Sequence, residues 1–262
     1  MGEAVATGRF GRVSWTQAGD YLWLAITAPQ LEGASLQSLT REAYLELLAC
    51  ARKFQFPRFV RLWNYLDGIN RGEGDNENYR QFCLGRYQAF LRAGVGEEEF
   101  PAASALGRRS SNLLIYGLAT RQLCQHLENP VQTSAYEYPR EYGHASPSFA
   151  RATLSGGHLF ISGTASILKS RSLHVDDVVA QTQLSCQNIE QVLKRAQSAS
   201  GHPWTMDLLK IYVRRPGDKP GIAEVIQRYF PQAQWLWLQA DICREELLVE
   251  IEGVAVRDMT GE

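Results

Sequence analysis

Gln239-Ala-Asp-Ile-Cys-Arg-Glu-Glu-Leu-Leu-Val-Glu-Ile-Glu-Gly-Val-Ala255 contains the strand around which the rest of the chain can be organised. Leu248, Glu250 and Glu252 fall on one face of that strand, and Leu247, Val249, Ile251 and Gly253 on the other. A carboxylate inside such an apolar run is either solvated on the wet face of an edge strand or held in place to do chemistry.

Working upstream, Leu159–Gly163 reads as a strand, about 176–198 as a long helix, Leu208–Val213 as a strand and the stretch up to Tyr229 as a helix. Trp235–Leu238 is then the strand before the closing one. The first half has the same order. A strand at Tyr21–Ala28 is followed by a helix over about 40–53 and a strand at Phe59–Leu66. Asp67-Gly68 opens a polar loop, a second helix runs over about 76–93, and Phe100–Gly107 leads towards a strand at Asn112–Gly117. Phe100-Pro101 and Phe230-Pro231 occupy equivalent places. This repetition predicts an α/β (α+β) protein of two fused units, 1–145 and 146–262, with mixed sheets, helices on one side and a ligand cleft between the units.

Composition narrows the function classes. With 262 residues, 45% apolar content and a net charge of −1, the chain can bury a sizeable core and carries no basic surplus for nucleic acid. Five cysteines without a CxxC spacing indicate neither a disulfide framework nor a zinc knuckle, and reduced thiols suit a cytoplasmic protein. No long apolar run predicts a membrane span. Gly2 lacks the Ser or Thr that myristoylation expects, since Ala6 stands there.

Two stretches carry chemistry. In Asn78-Tyr-Arg-Gln-Phe-Cys-Leu-Gly-Arg86, the residues Tyr79, Phe82, Cys83 and Arg86 share one helix face. An arginine there either snorkels over the core or meets an anion. The segment 132–153 combines Tyr136, Tyr138 and Tyr142 with Arg140, Arg151 and His144, which suits either an ordered surface loop or bidentate capture of a cyclic carboxylate. The five histidines show no metal-ligand spacing, and no nucleotide-binding or serine-hydrolase motif occurs, so neither metal nor cofactor is expected.

The second half resembles the YjgF-like fold of the reactive-intermediate deaminases, through Leu159–Gly163, Asp177–Thr182, Asn188–Leu193 and Leu248–Ala255. Across most of the chain from residue 60 onward, the sequence is similar to the chorismatase family, enzymes that remove pyruvate from chorismate. The stretches that carry the resemblance are Arg61–Asn70, Tyr79–Arg86, Phe100–Gly107, Ala135–Arg140, Tyr142-Gly143, Ser146–Arg151, Ser162-Gly-Thr-Ala-Ser166 and the strand with Glu250.

The resemblance implies that Tyr79, Arg86, Tyr138 and Arg151 contact the substrate, chorismate, and that Glu250 is the catalytic acid. It also implies that Cys243 marks the branch that aromatises the ring, giving 3-hydroxybenzoate with or without 4-hydroxybenzoate. Such an acid must be protonated, so burial has to outweigh the nearby arginines. A chorismate hydrolase giving a diene diol, or a YjgF-like imine deaminase or metabolite-binding protein, remains the alternative. Two features depart from the family: a shorter segment before the first motif, so that an uncovered sheet edge would favour a homo-oligomer over a monomer, and Lys169-Ser170 where Gly-His is usual.

Overall fold

The computed structural model describes residues 5–30, 33 and 35–258. Gly2, and with it the reading of the extreme amino terminus, lies outside the described residues. The first unit comprises β1 (Ala6–Phe10), β2 (Val13–Ala18), β3 (Tyr21–Pro29), α1 (Leu36–Lys53), β4 (Arg58–Asp67), α2 (Asn78–Ala93), β5 (Ala102–Arg108) and β6 (Asn112–Thr120). The second comprises β7 (Gln125–Leu127), β8 (Ala152–Ser155), β9 (His158–Thr164), the small hairpin β10 (Ile167–Leu168) and β11 (Arg171–Ser172), α3 (Val178–Ser200), β12 (Trp204–Val213), α4 (Lys219–Tyr229), β13 (Gln234–Gln239) and β14 (Val249–Arg257).

The two large sheets have the same design. Their strand orders are β1-β2-β3-β6-β4-β5 and β7-β8-β9-β14-β12-β13. One pair in each is parallel, β4 with β5 and β12 with β13, and each of those pairs is joined through a helix, α2 or α4. A parallel pair needs such a crossover, which is why the helix-strand order read from the sequence recurs. The sheet changes between Thr120 and Gln125, while residues 145 and 146 lie in the segment joining β7 to β8, both of the second sheet.

Local chemistry sets the helix ends. Ser35 and Asp177 cap α1 and α3, accepting from the backbone N–H groups of Ser38 and Ala180, and Gly94 and Gly201 close α2 and α3 in the left-handed conformation. The segment 100–107 differs from expectation. Its alanines are themselves the edge strand β5, because pairing with β4 and packing against β9 override the weak strand propensity of Ala-Ala-Ser-Ala.

Each sheet buries one face against its own helices. Leu62, Leu66, Phe82 and Phe90 belong to the first core, and Ile189, Val192, Leu209 and Ile251 to the second. The opposite faces meet each other, with Leu106, Ile167, Tyr212 and Leu247 packed between the units. Backbone bridges at Ala102–Ala150 and Gly107–Asp241 stitch the seam. No helix among the described residues is long and apolar enough to cross a membrane.

Candidate active site

Both carboxylates of β14 point into the seam, and neither is wet: Glu250 is 4% exposed and Glu252 3%. Glu252 is gripped from the first unit by Arg61 Nη2 at 2.6 Å and Trp63 Nε1 at 2.6 Å, and by the Ser104 hydroxyl. Lys210 Nζ from β12 adds a contact at 3.1 Å. Burial alone would raise its pKa, but Arg61, Lys210, Ser104 and Trp63 hold this carboxyl below the usual carboxylate range, so Glu252 is ionised. The Glu250 carboxyl, by contrast, accepts no hydrogen bond from any described residue, although its backbone is paired with β12. Burial, followed by repulsion from Glu252, lifts its pKa to about 8 against the opposing pull of Arg61.

A bulge makes room for Glu250. Ile251 pairs with Thr164 and Gly253 with Ile161, so the single residue Glu252 faces both Ser162 and Gly163 on β9. The Gly163 N–H leaves the strand ladder and donates to Ser104 Oγ at 2.9 Å. A Cβ on Gly163 would collide with Glu250 Oε1 and come within 2.8 Å of Ser104 Oγ, so the missing side chain is what lets the carboxyl settle there.

The helix face read in α2 lies at the same place. Arg86 is 1% exposed, with its guanidinium 5.0 Å from the Phe82 ring centroid and Nε without a hydrogen-bond partner. Among the described residues no carboxylate forms an ion pair with it. It is therefore a buried cation that lacks its anion. Tyr79 is half-buried beside it, and burial pushes its phenol well above the ordinary tyrosine range.

The segment between β7 and β8 closes the other wall. Arg151, 5% exposed, donates to the Thr133 carbonyl at 2.8 Å and the Tyr138 hydroxyl at 2.9 Å, and its Nε has no hydrogen bond. Its nearest carboxylate, Glu128, stands 4.0 Å away with a pKa raised by burial to about 7. Arg244, following Cys243, lies 4.1 Å over the Tyr142 ring and donates to the Ser170 carbonyl and Ser172 Oγ. The turn that carries Lys169-Ser170 thus anchors a cavity arginine through the Ser170 backbone and the Ser172 hydroxyl. Burial, reinforced by Glu250, pushes the Cys243 thiol up, so it stays protonated.

A cavity of about 420 Å³ is lined by Tyr79, Tyr138, Phe149, Arg151, Cys243, Arg244 and Glu250 among others. It deepens into a recess where Arg86 and Ser104 join Tyr79, Cys243 and Glu250. The six residues singled out from the sequence therefore line one connected space. Sequence reasoning passed over Arg244, Phe149, Ser104, Gly163 and Arg61. Only Gly163, a glycine inside a strand pattern, carried a local signal. A protonated acid beside guanidinium and phenol groups can hold a small dianion and deliver a proton to it.

Two family models match the chain: "Chorismatase FkbO/Hyg5-like, N-terminal" over residues 1–119 and "Endoribonuclease L-PSP" over residues 143–257. A 3-hydroxybenzoate synthase of Streptomyces hygroscopicus is 37% identical, covering 93% of this chain and 76% of that protein. A chorismatase of Streptomyces rapamycinicus is 33% identical, covering 95% and 78%. A crystal structure of a chorismatase superposes with a TM-score of 0.88 at 33% identity, covering 95% of this chain and 79% of the other.

Proposed function

The chain belongs to the chorismatase family, and from that premise we propose that it converts chorismate to 3-hydroxybenzoate, with or without 4-hydroxybenzoate, and pyruvate. The observation that carries the reading is the buried Glu250 carboxyl, protonated near neutral pH, in one cavity with the anion-less guanidinium of Arg86. Arg86 and Arg151, with the hydroxyls of Tyr79 and Tyr138, hold the substrate's two carboxylates by charge-assisted hydrogen bonds.

Glu250 gives its proton to the terminal methylene carbon of the enolpyruvyl ether, making an oxocarbenium ion next to the new carboxylate. The neighbouring ring hydroxyl then displaces pyruvate from the ring carbon and returns its proton to Glu250. Rearrangement to the phenol moves hydrogen within the ring system, so substrate and the two products balance without water. Water attacking instead would add one molecule and give the diene diol. Cys243, protonated and close to Glu250, excludes that water by filling the pocket with an apolar thiol.

Purified protein incubated with chorismate should release pyruvate, read by coupled lactate dehydrogenase, together with hydroxybenzoate on chromatography. Absence of pyruvate overturns the assignment to chorismate. Pyruvate accompanied by the diene diol alone overturns the aromatising course and leaves hydrolysis.

A further inference from the structure

Glu252 has no place in the proton transfer, yet it receives more hydrogen-bond donors than any other carboxylate described above. Arg61 and Trp63 reach it from β4, Ser104 from β5 and Lys210 from β12. Arg, Lys and the indole N–H can only donate, so the carboxylate they meet must be an acceptor. A bridge between the units could be made with any polar pair on the seam. This one stands two residues from Glu250 on the same strand face and opposite the bulge that admits it.

Ser104 ties the two sites together. Its hydroxyl donates to Glu252, accepts the N–H of Gly163, and lies against the spot where Glu250 Oε1 rests. The anion of Glu252 is thereby fixed next to Glu250 and cannot swing towards solvent. Building on the proposed reaction, we infer that Glu252 is a positioning residue, a clamped negative charge that keeps the neighbouring Glu250 carboxyl protonated against the cations around it.

Those cations are Arg61 from β4, Arg86 from α2, and Arg151 and Arg244 in the cavity walls. Tyr79 and Cys243 also face Glu250, and burial keeps both neutral. The cavity wall also carries Arg80 and the carboxylates Glu77, Glu141, Glu245 and Glu246, so the balance at Glu250 is set by the charges nearest it: Arg61 favours the ionised form, and the clamped Glu252 adds to burial in opposing it. Lys210 provides an independent handle. It touches Glu252 but lines a different cleft, with Tyr65, Tyr116 and Tyr212, and its ammonium lies 4.9 Å from the Trp63 ring centroid. Removing it leaves Glu252 less neutralised and strengthens its field at Glu250.

The test titrates Glu250 directly, by carboxyl carbon NMR on protein labelled at glutamate, with the resonance assigned through Glu250→Gln. In Glu252→Gln the midpoint should fall by about one unit or more. In Lys210→Met it should rise. A midpoint that stays put in both folded variants overturns the inference and leaves Glu252 a structural bridge. Should Glu252→Gln fail to fold, Lys210→Met decides alone: a raised midpoint supports the inference, and an unchanged or lowered one overturns it. Because the titration needs no turnover, a protein that releases no pyruvate sinks the proposed function while this measurement still stands.

Discussion

Glu250 Oε1 occupies the space where a side chain on Gly163 would begin, so the carboxyl of one strand rests against the bare backbone of its neighbour. Gly163 has no need of a left-handed conformation, and its value lies in close approach alone. Gly163→Ala should therefore fold but swing Glu250 out of place. We expect pyruvate release to fall at least about 100-fold, as loss of a positioned acid does, with thermal stability little changed. A variant with full turnover would show that the approach does not matter.

Glu250→Gln keeps size and shape but removes the transferable proton. Turnover of chorismate should drop by about 10²–10⁴-fold while the KM stays within a few-fold of wild type. Steady-state kinetics on the folded variant decide this, and undiminished turnover would move the acid elsewhere.

The raised pKa has a signed consequence for both rate and stability. The rate needs the protonated form, so kcat/KM should decline above a midpoint of about 8. For stability, native Glu250 holds its proton from the ordinary carboxylate range up to about 8, whereas the unfolded chain has released it. Stability is thus lost as pH rises through that window. Glu250→Gln escapes the penalty. Its advantage over wild type in chemical denaturation should be absent near pH 4 and reach roughly a few kcal/mol by about pH 9. Parallel curves for the two proteins across that range would contradict the raised pKa.

Arg86→Met replaces a buried guanidinium that has no carboxylate partner by an apolar chain of similar length. The melting temperature should hold or rise, since an uncompensated charge is removed, while the KM for chorismate rises about tenfold or more. Chorismate should raise the Tm of wild type and leave that of the variant nearly unmoved. A variant that loses stability but keeps its KM would make Arg86 a structural residue.

Cys243→Ala tests the water-exclusion role. The smaller side chain leaves space beside Glu250, so the product should shift from 3-hydroxybenzoate towards the diene diol with total pyruvate largely retained. Chromatography of the products reads the ratio, and an unchanged ratio would remove Cys243 from product control.

Periodicity exposed the elements whose burial is one-sided or whose apolar run is strong: α1, α3, β4, β12 and β14 were all legible. The hairpin β1–β2, the short β7 and β8, and the alanine-rich β5 were not, because their strand state comes from partners distant in sequence. The site followed the same division. Tyr79 and Arg86 share a helix face that spacing alone reveals. Arg61 and Ser104 meet Glu252 only because two sheets turn the same faces inward.

By itself, then, the amino-acid order determined a duplicated helix-and-strand arrangement and an acid on the last strand, since both are written in local spacing. Only the tertiary structure decided which of the two acids on β14 is ionised. Glu250 and Glu252 are chemically identical and lie on one strand face, and they differ in what surrounds them: Glu252 meets Arg61, Trp63 and Ser104 from the opposite unit and Lys210 from the neighbouring strand, whereas Glu250 meets the empty space of a glycine on the strand at its other side. Protonation follows surroundings, and those surroundings form when the two sheets meet.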